Sequence, residues 1–412
     1  MGIHKNEIKK IIFSGQILRD NFSYTIEWFY GLLSYQLEAV TSLPTYALVA
    51  KNHLRIFDNY LLFDVEKFYD FYGHKKVNSL DKKAKDKLWS EIFYNEEFNK
   101  NAYEYVYSIF KDSLVIVHEL EEVLVKILEH FGVPYIDINT DPIRFMDDQL
   151  FSFRSDNEKV YKELLKFRIP EEQIYLEANY SAVTYRSKAN KEKANKIVLF
   201  LGQTDCDKSL INKETGELYS ILNHKEDFKN AISGYDMVYY KRHPMVVDDS
   251  QVINYISSLS SVYITNDNFY DLMARNDIKK VVSISSGGCI EAKYYNKETQ
   301  SLLRESISLN WGNDFDKDKY ISIYNDFFSL HFWAVILKPI LKTKDFDPNI
   351  RISGKNKLRN SRGPKCYWGY EDFDHEIIKS DATALLKEAL SNTESKKQFF
   401  DKIKKTIRFC HC

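Results

Sequence analysis

The chain has 412 residues, which is long enough for two or three domains with a large hydrophobic core. Its 58 basic and 59 acidic residues give a net charge of −1, which excludes the overall positive field of a nonspecific nucleic-acid binder. Hydrophobic residues make up 44% of the sequence, which excludes extended disorder, and the 29 Tyr and 27 Phe supply rings for a core or for a sugar-binding cleft.

The start of the chain does not read as a secretory leader, and no run of about 18 apolar residues predicts a membrane span. The five cysteines are an odd number without the spacing of a disulfide framework. Together these features predict a cytoplasmic protein in a reducing compartment.

The first part of the chain alternates apolar runs with helical patterns. The patterns predict a strand over 11–13, a helix over 22–38, one long amphipathic helix over 103–130 and a strand over 133–138. Residues 186–196 contain five Lys or Arg and no apolar side chain larger than Ala, which is typical of an exposed linker. We therefore expect an N-terminal Rossmann-like domain over residues 1–190.

A regular alternation of strands and helices follows this linker. Strands are predicted over 197–201, 237–240, 262–264 and 281–284, and helices over 213–232, 251–258, 270–275 and 289–295. Short continuous apolar runs are typical of strands that are buried on both faces of a parallel sheet. The alternation predicts a doubly wound α/β domain over residues 191–345, followed by a helical segment over 346–412.

Three polar segments follow predicted strands of this second domain. Residues 202–209 (GQTDCDKS) follow the first strand, residues 241–244 (KRHP) the second and residues 285–288 (SSGG) the last. Turn formation or helix capping explains each segment taken alone. Because the carboxyl ends of parallel strands meet helix N-termini at one edge of a sheet, we expect the three segments to form one site.

The residue types in these segments suit an anion. Ser285, Ser286 and Gly287 bring hydroxyl and backbone N–H groups to a helix N-terminus, and Lys241 and His243 add charge-assisted donors. The chain has neither a P-loop nor the glycine motif of dinucleotide-binding folds, which disfavours ATP hydrolysis and ordinary dinucleotide redox chemistry.

Two carboxylates complete the chemistry expected at this edge. Glu291, one helical turn inside, is suited to a ribose hydroxyl, and Asp207 is suited to act as a nucleophile or base. A carboxylate opposite a phosphate-binding helix end is the arrangement that glycosyl transfer from a nucleotide sugar requires.

Three spaced motifs carry a family resemblance. They are Gly202-Gln203-x-x-x-Asp207-x-Ser209, Lys241-x-His243-Pro244 and Ser285-Ser286-x-x-x-x-Glu291. The set resembles the bacterial retaining β-Kdo glycosyltransferases of capsule and O-antigen assembly, which use CMP-β-Kdo, the activated form of an eight-carbon 2-keto acid sugar. The His-Pro and paired-Ser motifs are also similar to those of CMP-sialic acid transferases, whereas the Gln-x-x-x-Asp-x-Ser motif favours Kdo.

The resemblance implies a GT-B fold, in which two Rossmann-like domains face each other and the C-terminal one holds the donor. It implies that Asp207 is the nucleophile of a double displacement, and that Gln203, Asp205 and His243 belong to the same catalytic group. It further implies a donor-binding set and no metal or other cofactor. That set consists of Lys241, His243, Pro244, Ser285, Ser286, Gly287, Glu291 and Ser209.

Two other classes of function stay open. Asp205-Cys206-Asp207 also reads as a D-x-D motif that binds a nucleotide diphosphate through Mn²⁺ or Mg²⁺. A catalytically silent scaffold of a polysaccharide-assembly complex is the other alternative, although the presence of both Asp207 and His243 argues against it.

The acceptor, an oligosaccharide or a lipid-linked glycan, is expected to bind the first domain. The candidate acceptor residues are Ser14, Asp20, Arg144, Asp147 and Asp148. A capped helix with a surface ion pair explains the cluster around Arg144 equally well.

Two features late in the chain have open interpretations. The aromatic clusters at 327–333 and 367–370 are suited to sugar contact or to domain packing. The amphipathic, basic segment 395–409 is suited to an anionic membrane surface, which would place the protein peripherally on the cytoplasmic membrane, or to packing against a domain.

Overall fold

The computed structural model describes residues 7–19, 23–51, 59–146, 149–186, 196–324 and 326–348. Its strands, in chain order, are β1 (Lys10–Gly15), β2 (Thr45–Ala50), β3 (Tyr60–Phe63), β4 (Ser113–His118), β5 (Tyr135–Thr140), β6 (Phe151–Ser155), β7 (Ile197–Leu201), β8 (Met237–Lys241), β9 (Val262–Thr265), β10 (Ile278–Ser283), β11 (Glu298–Ser301) and β12 (Ile321–Ile323).

The helices are α1 (Ser23–Thr41), α2 (Val65–Phe71), α3 (Lys82–Phe93), α4 (Lys100–Phe110), α5 (Glu122–His130), α6 (Glu158–Leu165), α7 (Glu171–Arg186), α8 (Lys225–Ala231), α9 (Ser250–Leu259), α10 (Phe269–Ala274), α11 (Gly287–Tyr294) and α12 (Leu330–Leu337). None of the helices in the described ranges is both long and apolar enough to cross a membrane.

The strands form two separate sheets, and the central strands of each sheet are parallel. The first sheet has the order β12-β6-β5-β4-β1-β2-β3, and the second has the order β11-β10-β7-β8-β9. In the first sheet β1 to β5 run parallel, while β6 and β12 each pair antiparallel with a neighbour. All pairs of the second sheet are parallel. Two Rossmann-like α/β sheets are therefore present, and the predicted fold class is confirmed.

The strand order places a topological switch point in each sheet. The chain leaves the central strand in one direction and returns on its other side, between β1 and β4 in the first sheet and between β7 and β10 in the second. The helices that follow such neighbouring strands diverge, so a crevice opens at their carboxyl ends. The central strands are buried: all five residues of β7 and all but Lys10 of β1 lie in the core.

Two predicted helices are wrong over part of their length. The predicted helix 103–130 is α4, β4 and α5 in the structure, because Asp112 takes a left-handed φ of 57° after α4 and the six buried residues of β4 form a central strand. Of the predicted helix 213–232, only Lys225–Ala231 is helical. Gly216, at φ 72°, lies instead in a turn that brings Leu218 back to pair with Ile211.

The end of the described chain returns to the first domain, whereas the sequence assigned residues 191–345 to the second. Strand β12 pairs with β6 of the first sheet, and α12 packs against α1 and α6. Phe327 and Trp333 are buried in this core, with Trp333 donating from Nε1 to the Phe327 carbonyl at 2.7 Å. Most of the cluster 327–333 therefore contributes to domain packing. The linker 187–195, the cluster 367–370 and the segment 395–409 lie outside the described residues.

Candidate functional site

The three polar segments meet at the carboxyl edge of the second sheet. Gly202 donates from its backbone N–H to the carbonyl of Lys241 at 2.9 Å, which joins the first segment to the second. The Gln203 side chain crosses the switch point, and its Oε1 accepts from the backbone N–H of Ser285 at 2.5 Å. A small pocket opens where they meet, and its walls include Gly202, Lys241, His243, Pro244, Ser286 and Glu291.

The N-terminus of α11 forms one wall of this pocket. Ser286 caps the helix, with its Oγ accepting from the N–H of Gly288 at 3.2 Å. A Cβ at Gly288 would lie 2.6 Å from Leu201 Cδ1, and one at Gly287 would lie 3.1 Å from Pro142 of the first domain. The two glycines therefore let a helix N-terminus, with its partial positive charge, approach both β7 and the opposite domain.

Ser285 brings a buried hydroxyl to the same place. Its side chain is 1% exposed, and its Oγ has no hydrogen-bond partner within the described ranges. Leaving a buried hydroxyl unpaired costs about 1–3 kcal/mol. The backbone N–H of Ser285 donates to Oε1 of Gln203, and this hydrogen bond fixes the backbone of Ser285 beside the helix end.

His243 supplies an imidazole whose neutral form has a defined tautomer. Its Nδ1 accepts from the backbone N–H of Met245 at 3.2 Å, so the proton of the neutral ring lies on Nε2. Burial lowers the pKa of His243 below its ordinary value; the charge of Asp207 raises the pKa and that of Arg144 lowers it.

Lys241 and Pro244 complete the second segment. The ammonium of Lys241 donates to the carbonyl of Asp267 at 2.6 Å, and burial lowers the pKa of Lys241. An ammonium has three donors, so this bond orients the group and leaves it further donors for an anion. Pro244 is exposed at the pocket rim.

Glu291 and Arg144 join the two domains. Glu291 is 4% exposed, and its Oε1 accepts from the backbone N–H of Arg144 at 2.7 Å and from the Tyr270 hydroxyl at 2.8 Å. The structure thus brings Arg144, which the sequence assigned to the acceptor, to the donor side. Glu291, which the sequence assigned to the ribose, therefore also forms a hydrogen bond between the two domains.

Asp207 is exposed in the loop after β7. Its Oδ1 accepts from the backbone N–H of Ser209 at 2.8 Å and caps a short 3-10 turn over Lys208–Leu210. The capping interpretation is therefore realised, and Ser209 is itself buried beneath the turn. Asp205 is exposed and lies near Tyr240, whose pKa burial raises with a contribution from Asp205.

The two aspartates of the D-x-D motif do not join a larger ligand cluster in the described chain. No three His, Cys, Asp or Glu side chains there group as a metal site would require. Between the aspartates, burial raises the pKa of the Cys206 thiol to about 12, so it is not a ready thiolate. The absence of a metal cofactor stays a prediction.

The acceptor candidates of the first domain have mixed outcomes. Ser14 lies within β1 rather than beyond it, is 2% exposed, and has an Oγ without a partner among the described residues. Asp20, Asp147 and Asp148 lie outside the described residues.

Sequence reasoning missed two residues at the switch point of the first sheet. Gln16 directly follows β1, and its Nε2 donates to Glu119 Oε2, directly after β4, at 3.3 Å. A polar residue at the end of a buried apolar run was the available signal for Gln16. Glu119 was concealed because its segment read as the middle of a long helix.

Solved structures with some likeness to this chain include two Kdo transferases and a UDP-GlcNAc 2-epimerase. Thermosulfurimonas dismutans KpsC, a β-Kdo 2,7-transferase, is 14% identical over 58% of this chain and 81% of its own, with a TM-score of 0.31. The β-Kdo 2,4-transferase of KpsC from the same organism is 15% identical over 55% and 80%, with a TM-score of 0.30. The UDP-GlcNAc 2-epimerase from Neisseria meningitidis is 11% identical over 71% and 82%, with a TM-score of 0.22.

No family model and no curated protein matches the chain. At TM-scores of 0.31 or less, the three likenesses assign neither an activity nor a substrate to this protein.

Proposed function

We propose that this protein is a GT-B glycosyltransferase that moves Kdo from CMP-β-Kdo to a glycan acceptor with retention, through a covalent adduct on Asp207. The observation that carries the proposal is the buried, unpartnered Ser285 hydroxyl beside the N-terminus of α11, with His243 and Lys241 at the neighbouring strand end. This combination of donors suits a ligand with a phosphate and a carboxylate, which CMP-β-Kdo has.

The donor is proposed to bind along this edge. The helix end, Ser285 and Ser286 would hold the phosphate, and Lys241 and Nε2 of His243 would meet the phosphate or the sugar carboxylate. Glu291 is the proposed ribose ligand. The backbone N–H of Arg144 and the hydroxyl of Tyr270 donate to its carboxylate and hold it in place. Positive groups held at this edge before the donor binds would stabilise CMP as it leaves, because little reorganisation is needed.

The reaction would proceed in two displacements. A carboxylate oxygen of Asp207 attacks the anomeric carbon of Kdo, and the bond from that carbon to the CMP phosphate oxygen breaks. An acceptor hydroxyl then attacks the same carbon, the bond to Asp207 breaks, and the hydroxyl proton passes to solvent. Two inversions give net retention. The exposure of Asp207 in the loop after β7 is compatible with this role.

The acceptor is proposed to lie across the cleft at the first sheet, near Ser14. An oligosaccharide or a lipid-linked glycan fits the class of reaction, with the protein acting in the cytoplasm or peripherally at the cytoplasmic membrane. Nucleic acid is not an expected partner, because the net charge is close to zero.

The proposal is tested by CMP release from CMP-β-Kdo, with CMP-sialic acid as the competing donor. Wild-type protein is expected to release CMP from CMP-β-Kdo, and Asp207→Ala is not. Equal release by both proteins would remove Asp207 as the nucleophile, and release from CMP-sialic acid alone would make the protein a sialyltransferase. Loss of release in EDTA, restored by Mn²⁺, would support the D-x-D alternative. If the protein neither binds CMP nor releases it, the scaffold alternative gains.

A further inference from the structure

The loop that carries Asp207 leaves the second sheet but is held by the first domain. Nζ of Lys208 lies 3.1 Å from Oε1 of Glu119 and 2.9 Å from Oδ1 of Asn139. Glu119 directly follows β4, and Asn139 lies near the end of β5, so both belong to the carboxyl edge of the first sheet. The residue next to the proposed nucleophile therefore reaches across the cleft.

The anchors of Lys208 are themselves fixed. Nδ2 of Asn139 donates to Asp137 Oδ1 and to the Tyr320 hydroxyl, each at 3.0 Å, and Asn139 is buried. Burial alone would raise the pKa of Glu119. The positive charges of Lys208 and His118 outweigh that effect, so the pKa of Glu119 lies below its ordinary value. Glu119 is thus a carboxylate anion matched to the Lys208 ammonium.

The backbone of the same loop is bound by two guanidinium groups. Arg19 of the first domain donates to the carbonyl of Cys206 at 3.2 Å. Arg304, which precedes the return of the chain to the first domain, donates to the carbonyls of Lys208 at 2.9 Å and Ile211 at 2.7 Å. The Ile211 side chain is fully buried in the core of the first domain.

We propose that Lys208 is a positioning residue that sets the placement of the Asp207 carboxylate by tying its turn to the first domain. This inference rests on the proposed role of Asp207. Asp207 owes its side-chain orientation to the N–H of Ser209, and the turn containing both residues is tied to the first domain by the Lys208 side chain. The ammonium therefore holds the turn, and with it the Asp207 carboxylate, at the carboxyl edge of the first sheet.

The side-chain exposures favour a positioning role over a simple surface ion pair. The side chains of Lys208 and Glu119 are 23% and 30% exposed, whereas those of the comparable pair Lys229 and Glu226 are 57% and 75% exposed at 3.5 Å. Exposed pairs contribute little because water and salt screen them. Lys229→Met is therefore a matched control for Lys208→Met.

The experiment measures CMP release from CMP-β-Kdo by the full chain, for wild type, Lys208→Met, Lys208→Arg, Glu119→Gln and Lys229→Met. We expect Lys208→Met to lower kcat about 100-fold with KM for the donor changed less than about threefold, because a misplaced reacting group slows the chemical step. Lys208→Arg is expected to recover most of the rate, Glu119→Gln to be intermediate, and Lys229→Met to match wild type.

A charge exchange tests the contact itself. Lys208→Glu and Glu119→Lys are each expected to lower kcat, and the double variant is expected to recover part of the loss, since the ion pair is re-formed in reverse. If the two losses simply add, the pair does not act as a unit and the proposal is overturned.

Hydrogen exchange tests the positioning role of Lys208 independently of the proposed transferase activity. In Lys208→Met the amides of Ser209, Leu210 and Ile211 are expected to exchange at least about tenfold faster, while those of β7 do not change. This readout needs no donor, so it stands even if wild type releases no CMP and the proposed function fails. Unchanged exchange and unchanged kcat would overturn the positioning role, as would a rise in KM alone, which would make Lys208 a donor ligand. If Lys208→Met does not fold, Glu119→Gln provides both measurements.

Discussion

The two switch points share one construction and present opposite charges. In the second sheet Gln203 bridges from the end of β7 to Ser285 after β10, and in the first sheet Gln16 bridges from the end of β1 to Glu119 after β4. The partner of Gln203 is a backbone N–H beside a helix N-terminus, whereas the partner of Gln16 is a carboxylate. Strand order thus locates the two crevices, and the residues after β4 and β10 decide what each attracts.

The carboxylate side is neutralised from across the cleft. Lys208, in the loop after β7, pairs with Glu119, which follows β4. In the other direction, the backbone N–H of Arg144, in the loop after β5, donates to Glu291 of α11. Each crevice therefore contains a group delivered by the other domain. Under the proposed function, the anionic donor would bind in the second crevice and a neutral, hydroxyl-rich acceptor in the first.

The largest expected effect separates the two aspartates of the loop. Asp207→Asn is expected to lower the rate of CMP release about 10³-fold or more, because an amide cannot replace a carboxylate nucleophile. Asp205→Asn is expected to lower the rate only about tenfold, since Asp205 belongs to the proposed catalytic group but forms no bond to the sugar. Initial rates at saturating CMP-β-Kdo measure both. A comparable loss in Asp205→Asn would favour the metal-binding interpretation.

The two buried, unpartnered serine hydroxyls test whether the crevices bind different ligands. Ser285→Ala is expected to weaken CMP binding about tenfold and to raise the free energy of unfolding by about 1–3 kcal/mol, because it removes a buried hydroxyl that has no partner in the described chain. Ser14→Ala is expected to leave CMP binding unchanged. Calorimetric titration and urea unfolding provide the measurements. Weaker CMP binding in Ser14→Ala would contradict the division between donor and acceptor sides.

The bridging glutamines give a smaller, paired effect. Gln203→Leu is expected to weaken CMP binding about fivefold and to lower the free energy of unfolding by about 1–2 kcal/mol, since the N–H of Ser285 loses its acceptor. Gln16→Leu is expected to have no effect on CMP binding. The same titrations and unfolding curves apply. Equal losses of CMP affinity in both variants would show that the bridges are not specific to their own crevices.

The smallest effect is a pH dependence of CMP binding. The pKa of His243 is lowered in the unliganded protein, chiefly by burial, and the negative charge of a bound phosphate raises it. CMP binding therefore takes up a proton, and affinity decreases by a few fold as pH rises from below the free pKa to above the bound pKa. Titrations at several pH values are compared with His243→Gln, which reports the titration of CMP itself. Identical pH profiles for the two proteins would remove His243 from the phosphate site.

Much of the fold and of the donor site follows from local sequence patterns. The buried run at 197–201 predicted β7 correctly, and segments 202–209, 241–244 and 285–288 were expected to meet because parallel strands end at a common edge. The prediction of one helix over 103–130 was wrong because the buried residues of β4 lie between two amphipathic helices. The apolar residues of the strand therefore continue the helical pattern on either side. Left-handed backbone at Asp112, before β4, and at Glu119, after it, separates the strand from the two helices.

Contacts between domains could not be predicted from one sequence. Lys208 and Glu119 are 89 residues apart in the chain numbering, and Arg144 and Glu291 are 147 apart. No periodicity relates such partners, because their distance depends on how two separately folded sheets pack. The return of β12 to the first sheet was missed for the same reason: three residues that pair with β6 have no local signal that distinguishes the two sheets.

The central claim, a covalent adduct on Asp207, is tested most directly by intact mass. Wild-type protein is mixed with CMP-β-Kdo in the absence of acceptor, quenched and weighed, beside Asp207→Ala treated in the same way. The account predicts a wild-type species heavier by one Kdo residue, which peptide mapping assigns to Asp207, and no such species in Asp207→Ala. An adduct on another residue, or CMP release by wild type without any adduct in a rapid-quench series, would contradict it.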